Sequence, residues 1–554
     1  MKSSKRALSA PSHLADGKKP HHRSGAFVAF VGLLLSNCTA SPTETAPSAL
    51  VIQGLEVSTD GNIRFPATSS ALVAPIPENI GITKAPGLVL VDVFLTPAAT
   101  ISTLVEEGFE PVSVSGRRVS GWMPASDLER LEALSEVESV ERSERVRTNA
   151  VAQSAYVGAQ TGTFDQAVSA HAIDAVREAY KLDGRGVEVC IISTSYDLLG
   201  GAATSVVAGE LPGIGNSNYP TPVQVVAEGD DTFFAPQAID EGRAMAEHIH
   251  DIAPGAKIVF HGVTNNARDV VGRAIEALRQ DADCDVIVDD LANFVRQPFF
   301  QPDESANAVR SATEAGIIYV TSAGNEGRGG AENSGLRLYD DNYRPVPLGG
   351  LLFHDFDPGP GTSFFLPIEP KAVDNAFLDA TLQWDEPWGS LCAGCPGRTS
   401  DLGLALLAAP QGSSSLSIVG IEWATNTLDA RSLFFIALNG LVPFDFFLAV
   451  VQRPSDTTQP TQIKLAFSRD DFRPGFPDLF TASPLWSYRL EESAIVVGAS
   501  AWFDTPKGAL FWNETYAGEF GNNGQLIPSL PIPSVPVLSF EGLGGPLVSA
   551  SSGN

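Results

Sequence analysis

The feature that most limits what this chain can fold into is a sustained alternation that begins at residue 183. "GRGVEVCIIS" is a short continuous apolar run, the pattern of a strand buried on both faces. "AKIVFHGV", "CDVIVDDL" and "IIYVTSAGNEG" repeat it. Between them, "EGRAMAEHIHDIAPGA", "ARDVVGRAIEALRQD" and "PDESANAVRSATEAG" carry apolar residues at helical spacing. Strands that alternate with helices form a parallel sheet covered on both faces, because parallel neighbours need a crossover long enough to hold a helix. "ESAIVVGASAWF", much later in the chain, reads as one more buried strand of the same sheet.

The rhythm breaks between 331 and 490. Runs such as "GTSFFLPIE", "DATLQWDEPW", "SLFFIALNG" and "DFFLAVVQRP" are short, β-branched or aromatic, and bounded by Pro, Gly and Asp. They predict a β-sandwich inserted into the α/β domain, whose parts are then 148–330 and 491–554. Before it, "GLVLVDVFL", "ATISTLVEEG", "EPVSVSGRRVSGWMP", "ASDLERLEALSEV" and "VESVERSERV" read as strand, helix, strand or hairpin, helix and strand. Residues 89–147 are therefore expected to be a small two-layer α+β unit. Residues 41–88 are rich in Pro, Ser, Thr and Ala and read as a linker.

Composition narrows the function. Of 554 residues 44% are apolar, enough for a sizeable core, and the net charge is −29. That charge disfavours nucleic acid and anionic membrane surfaces, both of which attract clustered Lys and Arg. At the N-terminus, basic residues precede "GAFVAFVGLLLS" and the small residues of "NCTASP". This is signal-peptide architecture over residues 1–40 and places the protein outside the cytoplasm. "LLSNC" also resembles a lipoprotein signal, in which Cys38 would carry a lipid anchor; ordinary cleavage near Ala40 is the alternative. Cys190 reads as a buried small hydrophobe, and Cys392 and Cys395 in "CAGC" as a local disulfide.

The segments 183–256, 317–327 and 493–500 resemble, in order, the subtilisin family of serine peptidases. "GRGVEVCIISTSYD" looks like the family's first core strand, "EGRAMAEHIHDIAPGAKI" like the helix that opens with His-Gly-Thr, "IIYVTSAGNEG" like the turn that bears the oxyanion-hole Asn, and "SAIVVGAS" like the strand that follows. The resemblance implies a subtilisin-like parallel sheet, hydrolysis of protein or peptide substrates, and an N-terminal unit acting as a prodomain over the cleft. It implies no required cofactor. Calcium stabilises many relatives, although no loop here has the ligand pattern of a calcium site.

The catalytic positions depart from the family. Asn325 in "SAGN" matches the oxyanion donor. Ser193 stands where the orienting Asp is expected, and Asp197, four residues on, is a displaced candidate that an extended chain would carry more than about 10 Å away. Glu241 stands at the His position. It reads either as a carboxylate base, as in the related sedolisins, or as an acidic residue favouring a helix start. Asp290 in "VIVDDL" is a speculative second carboxylate. His248 and His250 read as surface or packed residues. The family's "GTSxxxP" nucleophile motif should follow "SAIVVGAS" and a further strand. The only "GTS" is Gly361–Ser363, which precedes Phe364 and Phe365 and reads as a strand approach, whereas Ser549, Ser551 and Ser552 resemble a turn before the missing part. The expectation is a truncated serine endopeptidase or a non-catalytic binding relative, with negligible peptidase activity in the chain as written.

Overall fold

The computed structural model describes residues 87–143, 147–148, 171–229, 240–263, 270–292, 297–323, 337–467, 472–474 and 487–497, less 98, 393, 414, 425 and 455–457. It also describes Leu72, Val168, Leu485 and the short strands 52–53, 56–57, 63–64, 518–520 and 526–528. The leader-like segment with Cys38, the GN turn with Asn325, and the serines at 549–552 lie outside these residues.

The N-terminal unit comprises β1 (Leu88–Leu95), α1 (Ile101–Glu106), β2 (Glu110–Ser115), β3 (Arg118–Pro124), α2 (Leu128–Glu132) and β4 (Val137–Arg142). Its strands lie in the order β2-β3-β1-β4, all antiparallel, a split βαβ arrangement. The period of two along β1 puts Val89, Val91, Val93 and Leu95 on the helix side, against Leu104 and Leu131. Leu90 takes the other face with Trp122. The stretch left open as strand or hairpin is a hairpin, turning at Gly116, whose φ of +57° lies in the left-handed region.

The α/β layer follows a short strand, β5 (Arg147–Thr148), and α3 (Ile173–Tyr180). It runs β6 (Glu188–Ser193), α4 (Ala202–Ala208), β7 (Gln224–Ala227), α5 (Glu241–Ile252), β8 (Lys257–Gly262), α6 (Val270–Asp281), β9 (Val286–Asp289), β10 (Leu291–Ala292), α7 (Glu304–Glu314) and β11 (Ile318–Ser322). The sheet is parallel throughout, in the order β7-β8-β6-β9-β11, and is completed by Ile495–Val497 beside β11. Alternate residues of one strand enter different cores. Cys190 and Ile192 pack with α6 and α7, through Ile275 and Val309, while Ile191 packs with Phe260 and Ala246 on the α5 side. That two-sided burial is why the strands read as unbroken apolar runs. Among the described residues, no helix is long and apolar enough to cross a membrane.

Cys190 is not a free small hydrophobe. It forms a disulfide with Cys284, with Cα atoms 5.8 Å apart, tying β6 to the turn that enters β9. The two strands are adjacent and parallel, so residues near their starts fall side by side although 94 positions separate them. Cys392 and Cys395 form the local disulfide expected of them.

Between β11 and Ile495–Val497 the chain builds two mainly antiparallel sheets. The strands are β12 (Arg337–Asn342), β13 (Pro345–Leu348), β14 (Leu351–His354), β15 (Leu366–Pro370), β16 (Ala376–Trp384), β17 (Leu402–Pro410), β18 (Leu416–Trp423), β19 (Arg431–Leu438), β20 (Phe444–Gln452), β21 (Gln462–Phe467) and β22 (Phe472–Pro474). One sheet has the order β12-β21-β16-β19, and the other contains β18-β17-β20-β14-β13 with β15 and β22. Leu404, Leu406, Leu448 and Val450 of one meet Leu378, Leu382, Trp384 and Leu465 of the other in a shared core. Phe364 and Phe365, after the lone "GTS", pack on the outer face with Phe353.

Part of the stretch read as a linker is built into this insert. Ile52–Gln53 pairs in parallel with Leu416–Ser417, and Leu72 is buried in the shared core. These apolar positions are too few and too scattered to show a period.

Candidate functional site

The sheet order changes direction at β6, with β8 on one side and β9 on the other. In an open parallel sheet the crevice beyond the carboxyl ends of the strands at such a point is where ligands bind. Ser193 ends β6 there, and α5 starts above it.

The close approach of α5 to β6 is set by glycine. A Cβ on Gly242 would lie 2.2 Å from the Phe260 ring and 2.7 Å from the Ser195 carbonyl. Instead the Gly242 amide donates to that carbonyl at 2.8 Å. This brings Glu241 over the strand end, where the Ser193 hydroxyl donates to Glu241 Oε2 at 2.7 Å. Ser193 is 0% and Glu241 8% exposed. The two residues that the sequence resemblance sets at a catalytic Asp and a catalytic His position are thus hydrogen-bonded to each other. A hydroxyl that donates to a carboxylate favours the ionised acid and fixes its orientation.

The neighbouring Asp240, which the sequence reads with Glu241 as favouring a helix start, is a second buried carboxylate. Its φ of +46° turns the chain into α5. Its oxygens accept from Ser195 Oγ at 3.0 Å, from the amides of Leu198 and Leu199 at 2.9 and 3.0 Å, and from Arg243 Nη1 at 2.6 Å. Glu228 holds the other side of the same turn, accepting from the amides of Tyr196, Asp197 and Gly229. Burial pushes the Tyr196 phenol up to about 12. A signal for this cradle was in the glycines. A Cβ on Gly229 would lie 1.4 Å from the Thr194 carbonyl, and one on Gly262 would lie 2.0 Å from the Gly229 nitrogen.

Asp197 is turned to the helix beside it. Its Oδ1 accepts from the Ala202 amide, at the start of α4, at 2.8 Å and from Arg243 at 3.2 Å. His248 is exposed. His250 is buried against Asn216 and Tyr219, and burial holds its imidazole below the usual range. Asp290 is half-buried just past β9. The enclosed carboxylate of that pair is Asp289, which accepts from Tyr319 at 2.6 Å, Tyr488 at 2.9 Å and Thr321 at 3.1 Å, and whose pKa burial raises.

Asp289 and its partners fix one stretch of backbone. The Leu291 amide donates to Asp289, and the Leu291 carbonyl accepts from Arg489 at 2.5 Å and shares the Tyr488 hydroxyl, 2.9 Å away, with Asp289. Leu291 and Ala292 form β10, which pairs antiparallel with β5, Leu291 opposite Thr148 and Ala292 opposite Arg147. An extended segment that follows the N-terminal unit therefore lies along this rim strand. Arg118 of that unit is buried 4.0 Å from Glu304, in the first turn of α7.

Among the described residues, one group of metal-ligand types converges, Glu188 with Cys190 and Cys284. The two sulfurs are bonded to each other and offer no thiolate.

No family model and no curated protein matches the sequence. Solved structures similar to the chain include the CspB protease of Clostridium perfringens, at 11% identity over 66% of this chain and 80% of that one, with a TM-score of 0.34. The epidermin leader peptide processing serine protease EpiP of Staphylococcus aureus is 14% identical over 43% of this chain and 61% of its own, with a TM-score of 0.25. Fervidolysin of Fervidobacterium pennivorans, a keratinolytic enzyme related to subtilisin, is 16% identical over 47% and 43%, also at 0.25. The chain thus spans less than two thirds of the EpiP and fervidolysin chains. The α/β layer itself keeps an all-parallel order with its switch point at β6, where Ser193 meets Glu241.

Proposed function

We propose that the protein is an exported, subtilisin-type serine endopeptidase in which Glu241 occupies the base position and Ser193 orients it. The observation that carries this is the bonded pair at the end of β6, beside a rim strand already paired with an extended segment. A carboxylate can accept a hydroxyl proton, and a site closed to water strengthens that interaction. On this reading the N-terminal unit acts as a prodomain, its tail lies on β10 where a substrate strand would run, and Asn325 serves the oxyanion. Residues 498–554, which follow Ile495–Val497, contain no GTSxxxP nucleophile motif. This reading requires no cofactor, and lipidation at Cys38 belongs to the lipoprotein-like pattern "LLSNC".

A second reading has its own support. Ser193, Glu241 and Asp240 are all buried, and their bonds brace a helix start, as in a non-catalytic scaffold that binds an extended polypeptide.

Labelling with a serine-reactive phosphonate, after removal of the N-terminal unit by limited proteolysis, separates the two. The chain as written is expected to show negligible labelling; a longer form that carries the nucleophile motif is expected to show one modified serine and a peptidase rate that Glu241→Gln lowers at least about a hundredfold. Absence of labelling in the longer form, together with retained peptide binding, would favour the scaffold.

A further inference from the structure

The connection from β16 to β17 in the insert carries the "CAGC" pair, which neither the parallel layer nor the crevice uses. Hydrogen bonds close the neck of this loop. The amides of Gly389 and Arg398 both donate to the Leu428 carbonyl, at 2.8 and 3.1 Å. The two sides pass so closely that a Cβ on Gly389 would lie 3.0 Å from the Gly397 Cα. Each side is also held from outside. Asp429 accepts from the Ser390 amide and hydroxyl at 3.1 and 2.9 Å. Arg398 donates to the carbonyls of Asn426 and Ser400, each at 2.7 Å, and Glu386 accepts from the amides of Thr399 and Ser400, both at 2.8 Å.

With its neck held in this way, the loop has little use for the Cys392–Cys395 bond as a brace. A cross-link stabilises mainly by restricting the unfolded chain, and the restriction grows with the length enclosed. This one joins residues three positions apart, against 94 for Cys190 with Cys284. The two disulfides differ in access as well. Cys190 and Cys284 are buried in the core shared with α6 and α7. Cys392 is exposed and Cys395 half-buried, and a Cβ on Gly394 between them would have no neighbour within 4 Å. The Cys395 amide donates to the Cys392 carbonyl at 3.3 Å, a backbone turn that keeps the two sulfurs close without the bond between them.

We infer that Cys392–Cys395 is a reversible thiol–disulfide exchange site, with thiols as its substrates and Cys392 as the sulfur they attack. Exchange runs by attack of a thiolate on one sulfur while the other leaves. An incoming thiolate bonds to the exposed Cys392 Sγ, the bond between the two cysteines breaks, and Cys395 leaves as a thiolate. A second thiolate then attacks the substrate sulfur of this mixed disulfide and releases Cys392. The two substrate thiols end as one disulfide, and their two protons and two electrons end on Cys392 and Cys395 as thiols. Without a second thiol, Cys395 attacks Cys392 and expels the first. Hydrogen bonds hold the neck, so the insert keeps its fold in both states. The inference draws on nothing in the crevice, so its failure and that of the peptidase reading are separate results.

The test equilibrates the full chain, without denaturant, in buffers of graded reduced-to-oxidised glutathione ratio. Acid quenching, alkylation and peptide mapping then read each cysteine separately. Cys392 and Cys395 should follow the buffer together while Cys190 and Cys284 stay bonded, and the reduced protein should still unfold in one cooperative transition. Single variants then identify the attacked sulfur. With oxidised glutathione, Cys395→Ala should accumulate a mixed disulfide on Cys392. Cys392→Ala should take up glutathione on Cys395 at least about tenfold more slowly, and the reduced unsubstituted chain should accumulate neither adduct, because the second cysteine expels it. Reduction of Cys392 and Cys395 only in denaturant, or only together with Cys190 and Cys284, would overturn the inference. Equal rates of uptake in the two variants would overturn the assignment of Cys392.

Discussion

Removing the Cys190–Cys284 disulfide is the sharpest test of how the α/β layer is held. The bond closes a loop of 94 residues. In the chain-entropy treatment, a loop of this length restricts the unfolded chain by about 16 cal/mol/K, or about 4.7 kcal/mol at 25 °C. That is a large share of the 5–15 kcal/mol typical of a whole domain. The native side adds to the effect rather than opposing it, because Cys190 is fully buried beside Ile192 and Ile287. Cys190→Ala with Cys284→Ala should therefore cost about 3–5 kcal/mol. Hydrogen exchange under increasing urea, read on peptides covering β6 and β9, measures this locally and leaves the insert as an internal reference. Thiol titration of the denatured, unreduced protein should find no more than one free cysteine, Cys38. A loss under about 1 kcal/mol, or alkylation of Cys190 without reduction, would refute the cross-link and with it the registration of β6 on β9 that it secures.

Three further outcomes follow from particular contacts. His354 is fully buried beside Tyr339, and burial pushes its imidazole down to about 4. The unfolded chain binds this proton near pH 6.5 and the native one does not. The stability it contributes is therefore complete above pH 6.5 and is lost as pH falls toward 4, by about 3 kcal/mol. Urea unfolding at pH 7 and pH 4.5 should show the fall, and His354→Gln should flatten it. Gly242→Ala should destabilise α5 against β6 by about 1–3 kcal/mol, because its methyl meets both the Phe260 ring and the Ser195 carbonyl; a melting temperature unchanged in this variant would disprove the close approach. Asp289→Asn should cost about 1–3 kcal/mol and raise hydrogen exchange at Leu291, since an amide has one acceptor oxygen to share among Tyr319, Tyr488 and Thr321.

What the sequence displayed and what it concealed divide along a physical line. Strands buried on both faces must be apolar throughout, so β6, β8, β9 and β11 were legible, and with them the parallel layer. β1 was legible as an apolar strand for the same reason, and β2 and β3 through their alternation. Contacts made by one or two residues leave no period. Ile52–Gln53 and Leu72 join the insert from a stretch that reads as a linker, and Cys190 meets Cys284 only because two parallel strands lie side by side. The junction lies between these cases. Matching Glu241 to a family position was a matter of local pattern, and the structure places it on Ser193. The cradle around it depends on side chains that bond to backbone, Asp240 and Glu228, and such bonds constrain only one residue at each end.

The glycines carry more of the site than the carboxylates do. Any acidic residue can occupy a helix start, where the dipole favours it, so an Asp-Glu pair at 240–241 has little power to identify chemistry. Gly242, Gly229 and Gly262 have more, because each stands where a Cβ would overlap a neighbour by an ångström or more. Together they pull the start of α5, the end of β7 and the end of β8 onto the end of β6. This close approach makes the Ser193 to Glu241 bond possible, and a scaffold needing only a capped helix would not require it. An imidazole there would replace the carboxylate that accepts from the buried Ser193 hydroxyl. A Glu241→His substitution alone should therefore destabilise the junction, and Glu241→His combined with Ser193→Gly should recover part of that loss in thermal unfolding. Equal stability of the single and double variants would show that the Ser193 hydroxyl does not depend on that carboxylate.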